Sequence, residues 1–567
     1  MDAKGLIVDA LSKNTGLSLD EVSKLLTAPP SSDLGDFAFP CFVLSKSLKK
    51  SPVDIAVLLT TKISADFSTL KHFEEIRASG PYVNFFMNKK AITAEVLKEV
   101  LKQKSNYGKS NEKEKVLIEF PSPNTNKPLH LGHMRNMSIG ESVSRILEFN
   151  GKKVVRVNLN NDRGVHICKS MLAYERWGEG DTPQKSNMKS DHFVGKYYVL
   201  FSQKAKDDPK LEEEAQVILQ KWESKDKKVI VLWKQMNKWA LDGFKETYKL
   251  FNVKHDKNYF ESKIYDDGKD LVVKGFNEGK FTKDDNGGII VDLEKEGLGK
   301  KVLLRGDGTS IYITQDIALA KMKYDEFKPN RSLIVVASEQ NHHFKVLAQV
   351  CKILGIKSPI NHLSYGMVYL PEGRMKSREG TVVDADDFIN EVRTLVKGEI
   401  KSRYAELKDK EIDSRSLSIA MSAIKYHLLK VGVERDMTYN PKESISFEGN
   451  TGPYLQYSYA RACSILKKSK KKVGKYKVVS VEKKEYELVK KLGEFSSVVT
   501  EASKRLDSSV IASYNYDLAK AFNDFYQECP VIGSGDKEDF RLALVQSFRT
   551  VMNNALWLLG IEAISEM

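Results

Sequence analysis

The sequence has few cysteines and no long apolar runs. Its five cysteines are scattered over 567 residues and none forms a CxxC pair, so neither a disulfide framework nor a structural zinc site is expected. No stretch approaches the roughly 18 consecutive apolar residues that a membrane-spanning helix needs. The opening MDAKGLIVDALSKNTG lacks an apolar core followed by a small-residue cleavage site, so no secretory signal is expected. Together these absences favour a cytosolic protein.

Positive charge, by contrast, is in excess. Lys and Arg number 90 against 76 Asp and Glu, a formal net charge of +14. With 41% hydrophobic and 29% charged residues, the composition is that of a folded globular chain. The basic excess suits a polyanion such as nucleic acid, or reflects only a lysine-rich surface. Residues 461–477 carry eight basic residues and no acid, which indicates either a solvated loop or a phosphate contact.

The N-terminal part forms a first unit. At about 150 residues per domain, the length predicts two to four domains. Residues 1–110 combine amphipathic helices with a β-like stretch at 80–88. The polar run 104–115 is then predicted to be a linker.

A βαβ pattern follows this unit. The apolar run 115–120 predicts a strand. Apolar residues at i, i+4, i+7 and i+8 from Ile139 predict a helix that ends at Gly151, and 154–158 predicts the next strand. Such an alternation is typical of a parallel sheet.

Strand signals return much later in the chain. We predict strands at 310–314, 332–337 and 365–370, after a charged, helical region at about 165–300. The arrangement predicts one nucleotide-binding sheet interrupted by a large insertion. From about residue 385 the pattern is helical to the end.

The stretch PNTNKPLHLGH, Pro123 to His133, lies between the first strand of this sheet and its helix. A helix N-terminus offers unpaired N–H groups and a positive dipole to phosphates. Gly132 permits close backbone approach, and the imidazoles of His130 and His133 can donate to phosphate oxygens. This context predicts an adenylyl-transfer site.

The segment KVLIEFPSPNTNKPLHLGHMRN resembles the HIGH region of class I aminoacyl-tRNA synthetases, specifically of the arginyl-tRNA synthetases. Further blocks resemble that family in the same order, and the resemblance covers nearly the whole chain. They read VNLNNDRGVHICKSMLAY, SIYITQDIA, SEQNHHFKVL, YGMVYLPEGRMKSREGTVV, NTGPYLQYSYARACSIL and ALVQSFRTVMNNALWLLGI.

The resemblance implies a multidomain α/β plus α fold, with a class I Rossmann-type parallel-sheet catalytic domain, an N-terminal α+β domain and a C-terminal all-α anticodon-binding bundle. Residues 1–110 would be the additional domain that contacts the tRNA elbow, 111–385 the catalytic domain with its insertion at about 165–300, 386–445 a helical connective and stem-contact region, and 446–567 the anticodon-binding domain.

The activity implied is that of an arginine–tRNA ligase. L-arginine reacts with ATP, accompanied by Mg²⁺, to give arginyl-adenylate and pyrophosphate. Arginine then passes to the 2′-hydroxyl of the terminal adenosine of tRNA(Arg). The expected partners are tRNA(Arg), L-arginine and ATP, with no tightly bound cofactor, no protein-ligated structural metal and no membrane. A cytoplasmic monomer is expected, with a dimer left open.

Arginine recognition requires carboxylates and an aromatic face, because a guanidinium is planar, charged and rich in donors. The resemblance gives the guanidinium to Glu119 and Asp316, with Tyr312 beside them. It gives the α-amino group to Asn124 and Gln340. The full implied arginine-binding set is Glu119, Ser122, Asn124, His130, Tyr312, Asp316 and Gln340.

The resemblance also implies the ATP site. The HIGH region comprises Pro123, Asn124, His130, Leu131, Gly132 and His133. The implied ATP-binding residues are His130, Gly132, His133, Gly366, Met367, Val368 and Lys376. Of these, His130 and His133 are expected to act in catalysis.

The second class I signature, KMSK, is altered here. Its four positions are Arg374, Met375, Lys376 and Ser377, so that serine replaces the usual second lysine. The loop stays cationic, and Lys376 with Arg378 is expected to contact the phosphates during catalysis. A basic hairpin tip without a catalytic role is the alternative.

The implied tRNA-binding residues are Tyr454, Gln456, Tyr457 and Arg461. Tyrosines there can stack on unpaired bases and Arg461 can meet phosphate. Equally, the i, i+3 spacing of Tyr454 and Tyr457 suits core residues.

Two other functions stay open on the sequence. Another class I synthetase, such as one for cysteine, conflicts with the absence of a zinc-type cysteine set and with the two candidate acids. A tRNA-binding paralogue without catalysis is supported only by the altered KMSK tetrapeptide.

Overall fold

The N-terminal unit is an antiparallel sheet covered by helices. In the computed structural model, the described residues are 3–67, 72–369, 371, 383–403, 406–469, 471 and 473–567. The unit consists of α1 (Ala3–Thr15), α2 (Leu19–Leu25), β1 (Phe37–Pro40), α3 (Ser45–Leu48), α4 (Pro52–Phe67), β2 (Phe73–Ser79), β3 (Tyr82–Met87) and α5 (Lys89–Gln103). The sheet order is β1-β3-β2, so the predicted β stretch at 80–88 is confirmed as its central strand.

The run predicted to be a linker, 104–115, is anchored on the protein rather than free. Tyr107 is buried, stacks on Phe495 and donates its hydroxyl to the carbonyl of Leu492 at 3.0 Å. A Cβ on Gly108 would lie 2.5 Å from the Phe495 ring. One aromatic residue inside a polar run therefore fixes the N-terminal unit against the C-terminal helices.

The catalytic region is built on a parallel sheet. Its elements are β4 (Lys115–Glu119), α6 (Leu131–Phe149), β5 (Lys153–Asn160), α7 (Val165–Trp177), α8 (Ser190–Asp207), α9 (Lys210–Glu223), α10 (Lys227–Phe251), β6 (Lys257–Phe260), α11 (Asp267–Asn277), β7 (Thr282–Lys283), β8 (Ile289–Leu293), β9 (Gly299–Leu304), α12 (Tyr312–Phe327), β10 (Arg331–Ala337), α13 (Asn341–Leu354), β11 (Ile360–Tyr365) and β12 (Val368–Tyr369). Five strands pair in parallel in the order β11-β10-β4-β5-β6. The predicted strands 115–120, 154–158 and 332–337 are confirmed.

Helix α6 lies at the centre of the molecule. The predicted apolar positions Ile139, Val143 and Ile146 are buried, together with most other residues of the helix. Gly151 has a φ of 88° directly after the cap residue Asn150, the left-handed conformation that ends helices. The prediction that the helix ends there is confirmed.

Two further parts of the sequence prediction are wrong, and of the described residues in the predicted strand 365–370 only Val368–Tyr369 forms a strand beyond the end of β11 at Tyr365. Residues 310–314 are not a strand, because α12 begins at Tyr312. Thr314 accepts from the Ile311 amide at 3.0 Å and donates to the Leu303 carbonyl at 2.5 Å, so tertiary hydrogen bonds override the β propensity of this stretch. The region 165–300 is not wholly an insertion either, because β6 pairs with β5 as the edge strand of the main sheet.

The C-terminal part is helical, as predicted. It comprises α14 (Ala385–Arg403), α15 (Asp409–Leu429), β13 (Met437–Thr438), α16 (Pro441–Ser444), α17 (Gly452–Ser469), α18 (Lys483–Arg505), α19 (Ser509–Glu528) and α20 (Glu538–Leu558). Apolar side chains of these helices, of α5 and of α6 join one continuous core. Within the described ranges, no helix combines the length and apolar character required to cross a membrane.

Candidate active site

The sheet topology creates a crevice at the carboxyl ends of its strands. From β4 the chain proceeds to β5 and β6 on one side, and β10 and β11 lie on the other. In open parallel sheets, ligands bind at the point where the strand order reverses. Here that point lies between β4 and β10, and the HIGH segment follows β4 directly.

The two signature histidines form the N-terminal cap of α6. His130 is the N-cap, and its Nδ1 accepts from the amide of Gly132 at 3.2 Å. The amide of His130 donates to Nδ1 of His133, also at 3.2 Å. The two rings lie 3.9 Å apart. The HxxH spacing thus satisfies helix donors reciprocally, as in a capping box.

These hydrogen bonds determine which nitrogen carries the proton. A backbone N–H can only donate, so Nδ1 of both rings is unprotonated and the neutral ring carries its proton on Nε2. Burial, with the nearby charge of Lys127, lowers the pKa of His130 to about 3 and that of His133 well below its ordinary value. Both imidazoles are therefore neutral at physiological pH, and each has one Nε2–H donor left for a ligand.

Gly132 is required by the packing of the first histidine. A Cβ at this position would lie 3.0 Å from Cε1 and 3.1 Å from Nδ1 of His130. Any side chain would push the ring away from the amide that orients it.

The segment that follows the second signature pairs with the first. The Ala385 amide donates to the Leu129 carbonyl at 2.8 Å, and the Leu131 amide donates to the Val383 carbonyl at 3.4 Å. His130 and Asp384 face each other in this antiparallel bridge. The GRMKSREGT loop, with the predicted Lys376 and Arg378, lies outside the described residues. The described residues that follow it, 383–385, pair with the HIGH segment.

Two acids, Asp316 and Glu261, interact electrostatically. Asp316 lies on α12, and its carboxylate is hydrogen-bonded to Nε2 of His343 at 2.6 Å. Glu261 directly follows β6 and is buried. Burial raises the pKa of Glu261 to about 7. The positive charge of Arg163 opposes this rise, and negative charges that include Asp316 add to it. The pair forms a partly desolvated negative site.

Glu119 is not the free carboxylate that the sequence predicts. Its side chain is buried and forms an ion pair with Lys323 of α12, which is buried as well. Because Lys323 already neutralises it, the Glu119 carboxylate is not free for a guanidinium in this conformation. Asp316, by contrast, is bonded to His343, and its charge acts on the buried Glu261.

Four other predicted arginine-site residues are at least partly exposed. Ser122 adopts a φ of 56°, and its amide donates to Asn158 Oδ1 at 3.1 Å. Asn124 is exposed and bridges to Asn161 at the end of β5. Tyr312 is 76% exposed at the start of α12. Gln340 is exposed at the N-cap of α13.

The predicted ATP residues Gly366, Met367 and Val368 are held by α6. Arg135, fully buried, donates to the carbonyls of Gly366 at 2.6 Å and Met367 at 3.2 Å. A Cβ on Gly366 would lie 2.3 Å from the backbone of Arg435. Arg135 therefore fixes this strand end relative to the HIGH helix.

The predicted tRNA contacts on α17 divide into two groups. Gln456 is fully buried and donates to the Glu562 carbonyl at 2.8 Å, so it packs the bundle and does not face RNA. Arg461 donates to the Tyr457 hydroxyl at 2.9 Å and to Asn523 at 2.7 Å. Tyr454 accepts from the same Asn523. These three side chains are only partly buried.

Sequence reasoning missed two residues of this site. Lys127 lies inside the HIGH segment, and its charge acts on both histidines; a cation within a phosphate loop was a readable signal. Glu261 gave no such signal, because it lies in a charged stretch and only the pairing of β6 with β5 brings it to the crevice.

Comparison with known proteins agrees with this geometry. Residues 96–440 match the family described as tRNA synthetases class I (R), catalytic domain, residues 455–567 match the DALR anticodon binding domain, and residues 1–87 match the arginyl tRNA synthetase N terminal domain. Fold and site thus define a class I aminoacyl-tRNA synthetase. The chain belongs to the arginyl-tRNA synthetase family.

Relatives that align over nearly their full length are named arginine–tRNA ligases. The chain is 45% identical to the arginine–tRNA ligase of Treponema denticola, over 99% of this chain and 98% of that protein. It is 43% identical to the arginine–tRNA ligase of Treponema pallidum, over 96% and 95%. The solved arginyl-tRNA synthetase of Thermus thermophilus superposes with a TM-score of 0.82 at 25% identity, covering 99% of this chain and 98% of that one.

Proposed function

We propose that this arginine–tRNA ligase selects arginine with the pair Asp316 and Glu261 and activates it beside the neutral histidines of the HIGH segment. The observation that carries the proposal is the buried carboxyl of Glu261 directly after β6, whose raised pKa includes a contribution from the charge of Asp316. A buried, partly charged carboxyl pair suits a permanently charged guanidinium.

The activation step is an in-line displacement at phosphorus. A carboxylate oxygen of arginine attacks the α-phosphate of ATP, the new C–O–P linkage forms, and the bond to the β-phosphate bridging oxygen breaks, so that pyrophosphate leaves. Charge develops on the phosphoryl oxygens. The Nε2–H groups of His130 and His133 and the N-terminus of α6 are fixed donors for that charge.

Neutral histidines serve this step better than charged ones would. Because both pKa values are low, the donors neither gain nor lose a proton as ATP binds. Catalysis then comes from positioning and preorganised dipoles. Lys127 adds a positive charge on the same side.

Arginine is proposed to span the crevice. Its guanidinium would lie between Asp316 and Glu261, and its α-amino group near the exposed amides of Asn124 and Gln340. Tyr312, at the mouth, would cover the aliphatic stem. Ser122 keeps the loop shape that presents these groups.

The family uses ATP, typically with Mg²⁺. Neutral imidazoles and a lysine are poor ligands for magnesium, which prefers oxygen, so the metal would be carried by the ATP phosphates. Lys376 and Arg378 remain the proposed phosphate contacts of the altered KMSK loop, with Gly366 to Val368 beside the nucleotide.

Transfer to tRNA is proposed to use the flanking domains. Tyr454, Tyr457 and Arg461 present a partly exposed polar and aromatic face on α17 for anticodon bases. The proposed domain bounds are 1–110 for elbow contact, 111–385 for catalysis, 386–445 for stem contact and 446–567 for the anticodon. A cytoplasmic monomer remains the proposed state.

The test is arginine-dependent ATP–pyrophosphate exchange, in the presence of tRNA, on Asp316→Ala and Glu261→Gln. Removing one partner of a desolvated charge pair costs about 2–5 kcal/mol, so we expect the KM for arginine to rise at least about thirtyfold with little change in the KM for ATP. Glu326→Gln, on the exposed face of α12, is the matched control and should behave as the wild type. Wild-type arginine KM values in both pocket variants would refute the assignment.

A further inference from the structure

A large basic cleft lies between the last helix of the N-terminal unit and the C-terminal helices. It is formed by α5, α17, residues 471 and 473–476, and α20, and has a volume of about 920 Å³. We name it the α5–α20 cleft. Its charged lining residues are Lys98, Lys102, Lys104, Lys471 and Arg549.

Among the described residues that line the α5–α20 cleft there are several cations and no carboxylate. Lys471 is neutralised by Glu538 at 2.8 Å. The side chains of Lys98, Lys102 and Lys104 form no ion pair with any residue in the described part of the chain, and neither does that of Arg549. Four positive charges thus face one cavity without a protein counterion.

The three lysines are exposed to solvent, and Arg549 is partly buried. Lys98 and Lys102 are neighbours at i, i+4 on α5, where like charges repel. The negative end of the helix dipole offsets part of the cost for Lys102, in the last turn, but not for Lys98 or for Arg549 in the middle of α20. A concave surface of one sign concentrates counter-ions of the other.

Hydrogen-bonding and aromatic groups complete the lining. Gln546, Thr550 and Asn553 supply polar groups, and Tyr459 and Tyr476 supply ring faces. The volume lies in the usual range of small-molecule sites. An arginine fork with amide donors and tyrosine rings is the chemistry that recognises a phosphate attached to an aromatic base.

The wall of the cleft is fixed by hydrogen bonds. Asn554 donates to the carbonyls of Lys104 and Tyr107, both at 3.3 Å. This ties the end of α5 to α20. The lysines and Arg549 are therefore presented from two elements held at a constant separation.

The cleft is distinct from the proposed anticodon surface. Tyr459 is two residues after Tyr457, which places the two side chains about 200° apart around α17. Tyr457 and Arg461 face Asn523 of α19, whereas Tyr459 faces the cleft. A ligand in the cleft does not compete with bases on the α19 side.

We propose that the α5–α20 cleft binds a phosphate-bearing ligand of nucleotide size, held by Lys98, Lys102 and Arg549. Such a ligand contacts both the helix that ends the N-terminal unit and the C-terminal bundle. The ligand's phosphates come either from a free oligophosphate or from an RNA strand. This site goes beyond the proposed function and does not depend on it.

The test is isothermal titration calorimetry on the full chain, with arginine and a non-hydrolysable ATP analogue filling the active site. The two probes are inorganic tripolyphosphate and hexauridylate. We compare wild type with Lys98→Gln/Lys102→Gln and with Arg549→Gln. The control is Lys234→Gln/Lys238→Gln, an exposed i, i+4 lysine pair on α10.

We expect each cleft variant to weaken binding of a probe about tenfold or more, and the lysine pair to reduce the salt dependence by roughly two charges. The control should bind as the wild type does. Loss confined to tripolyphosphate identifies a free phosphate ligand, and loss for hexauridylate identifies an RNA backbone. Failure of both probes to bind, or equal binding by cleft variants and wild type, overturns the proposal. Arginine-dependent exchange should be unchanged in the cleft variants. A failure of the active-site assignment would therefore appear in the exchange assay and not in the calorimetry.

Discussion

At the residue scale, Glu261 makes arginine binding depend on pH. Its pKa is raised to about 7 by burial, and only the ionised carboxylate can pair with a guanidinium. Arginine affinity should therefore be full above that pKa and fall as the pH drops through it, by up to about tenfold per unit. Arginine KM measured between about pH 5.5 and 8.5 checks this, and Glu261→Gln should flatten the profile. A flat wild-type profile would contradict the assignment.

The buried ion pair of Glu119 and Lys323 predicts an effect on the stability of the fold. Lys323→Met leaves a buried carboxylate without a partner, at a cost of about 3–5 kcal/mol. Glu119→Gln combined with Lys323→Met removes both charges and should restore most of that loss. Urea unfolding followed by fluorescence measures Lys323→Met, Glu119→Gln and the double variant. Additive losses in the double variant would show that the two side chains are not coupled.

Residue roles were predictable where a local pattern carried them. The histidines, Gly132 and Asp316 stand in recognisable segments, and their shared role in one site remains a prediction. Glu261 was not predictable, because its position depends on the pairing of β6 with β5, about 100 residues apart along the chain. The partner of Glu119 was equally hidden, since Lys323 lies in an ordinary amphipathic helix.

At the scale of elements, α14 is joined to the helices that follow β5. Asp386, in the first turn of α14, accepts from Lys189 Nζ at 2.7 Å, from His192 Nε2 at 3.0 Å and from Thr247 Oγ1 at 3.3 Å. The chain enters α14 directly after the bridge to His130. The hydrogen bonds of this cluster therefore fix α14 and, directly before it, the residues that pair with the HIGH segment.

The cluster predicts a pH-dependent contribution from His192. Burial lowers its pKa, but the hydrogen bond to Asp386 and the charges of Asp191 and Asp384 outweigh this and raise it above 6.5. A raised histidine pKa stabilises the folded state fully below the unfolded pKa, and the contribution is lost as the pH rises through the folded one. The stability difference between wild type and His192→Asn should thus be largest below about pH 6 and shrink above it. Thermal melts across this range test it, with His342→Gln as an exposed control; a difference that grows with pH would contradict it.

Element types were predictable where periodicity and packing agree, as in α6. They were not where the two conflict. Ile311, Ile313 and Thr314 favour a strand by propensity, yet Thr314 caps α12 and Ile313 is buried in the core. Short strands such as β6 and β7 carry too few residues to stand out within a charged stretch.

At the scale of the whole molecule, the N-terminal unit and the C-terminal bundle form one body around α6. Tyr107 and Asn554 connect them through hydrogen bonds, and α5 contributes to the same core as α18 and α20. A tRNA that contacts both ends would therefore meet a fixed frame. The expectation of a separate linker failed because the polar run 104–115 contains this single buried tyrosine.

The most direct measurement is amino-acid-dependent ATP–pyrophosphate exchange by the wild-type chain, with cognate tRNA present. Arginine should support exchange, whereas cysteine and methionine, which lack a cation for Asp316 and Glu261, should not. Omitting tRNA shows whether activation is coupled to its binding. Absence of exchange with arginine while tRNA remains bound, or equal exchange with an uncharged amino acid, would contradict the account.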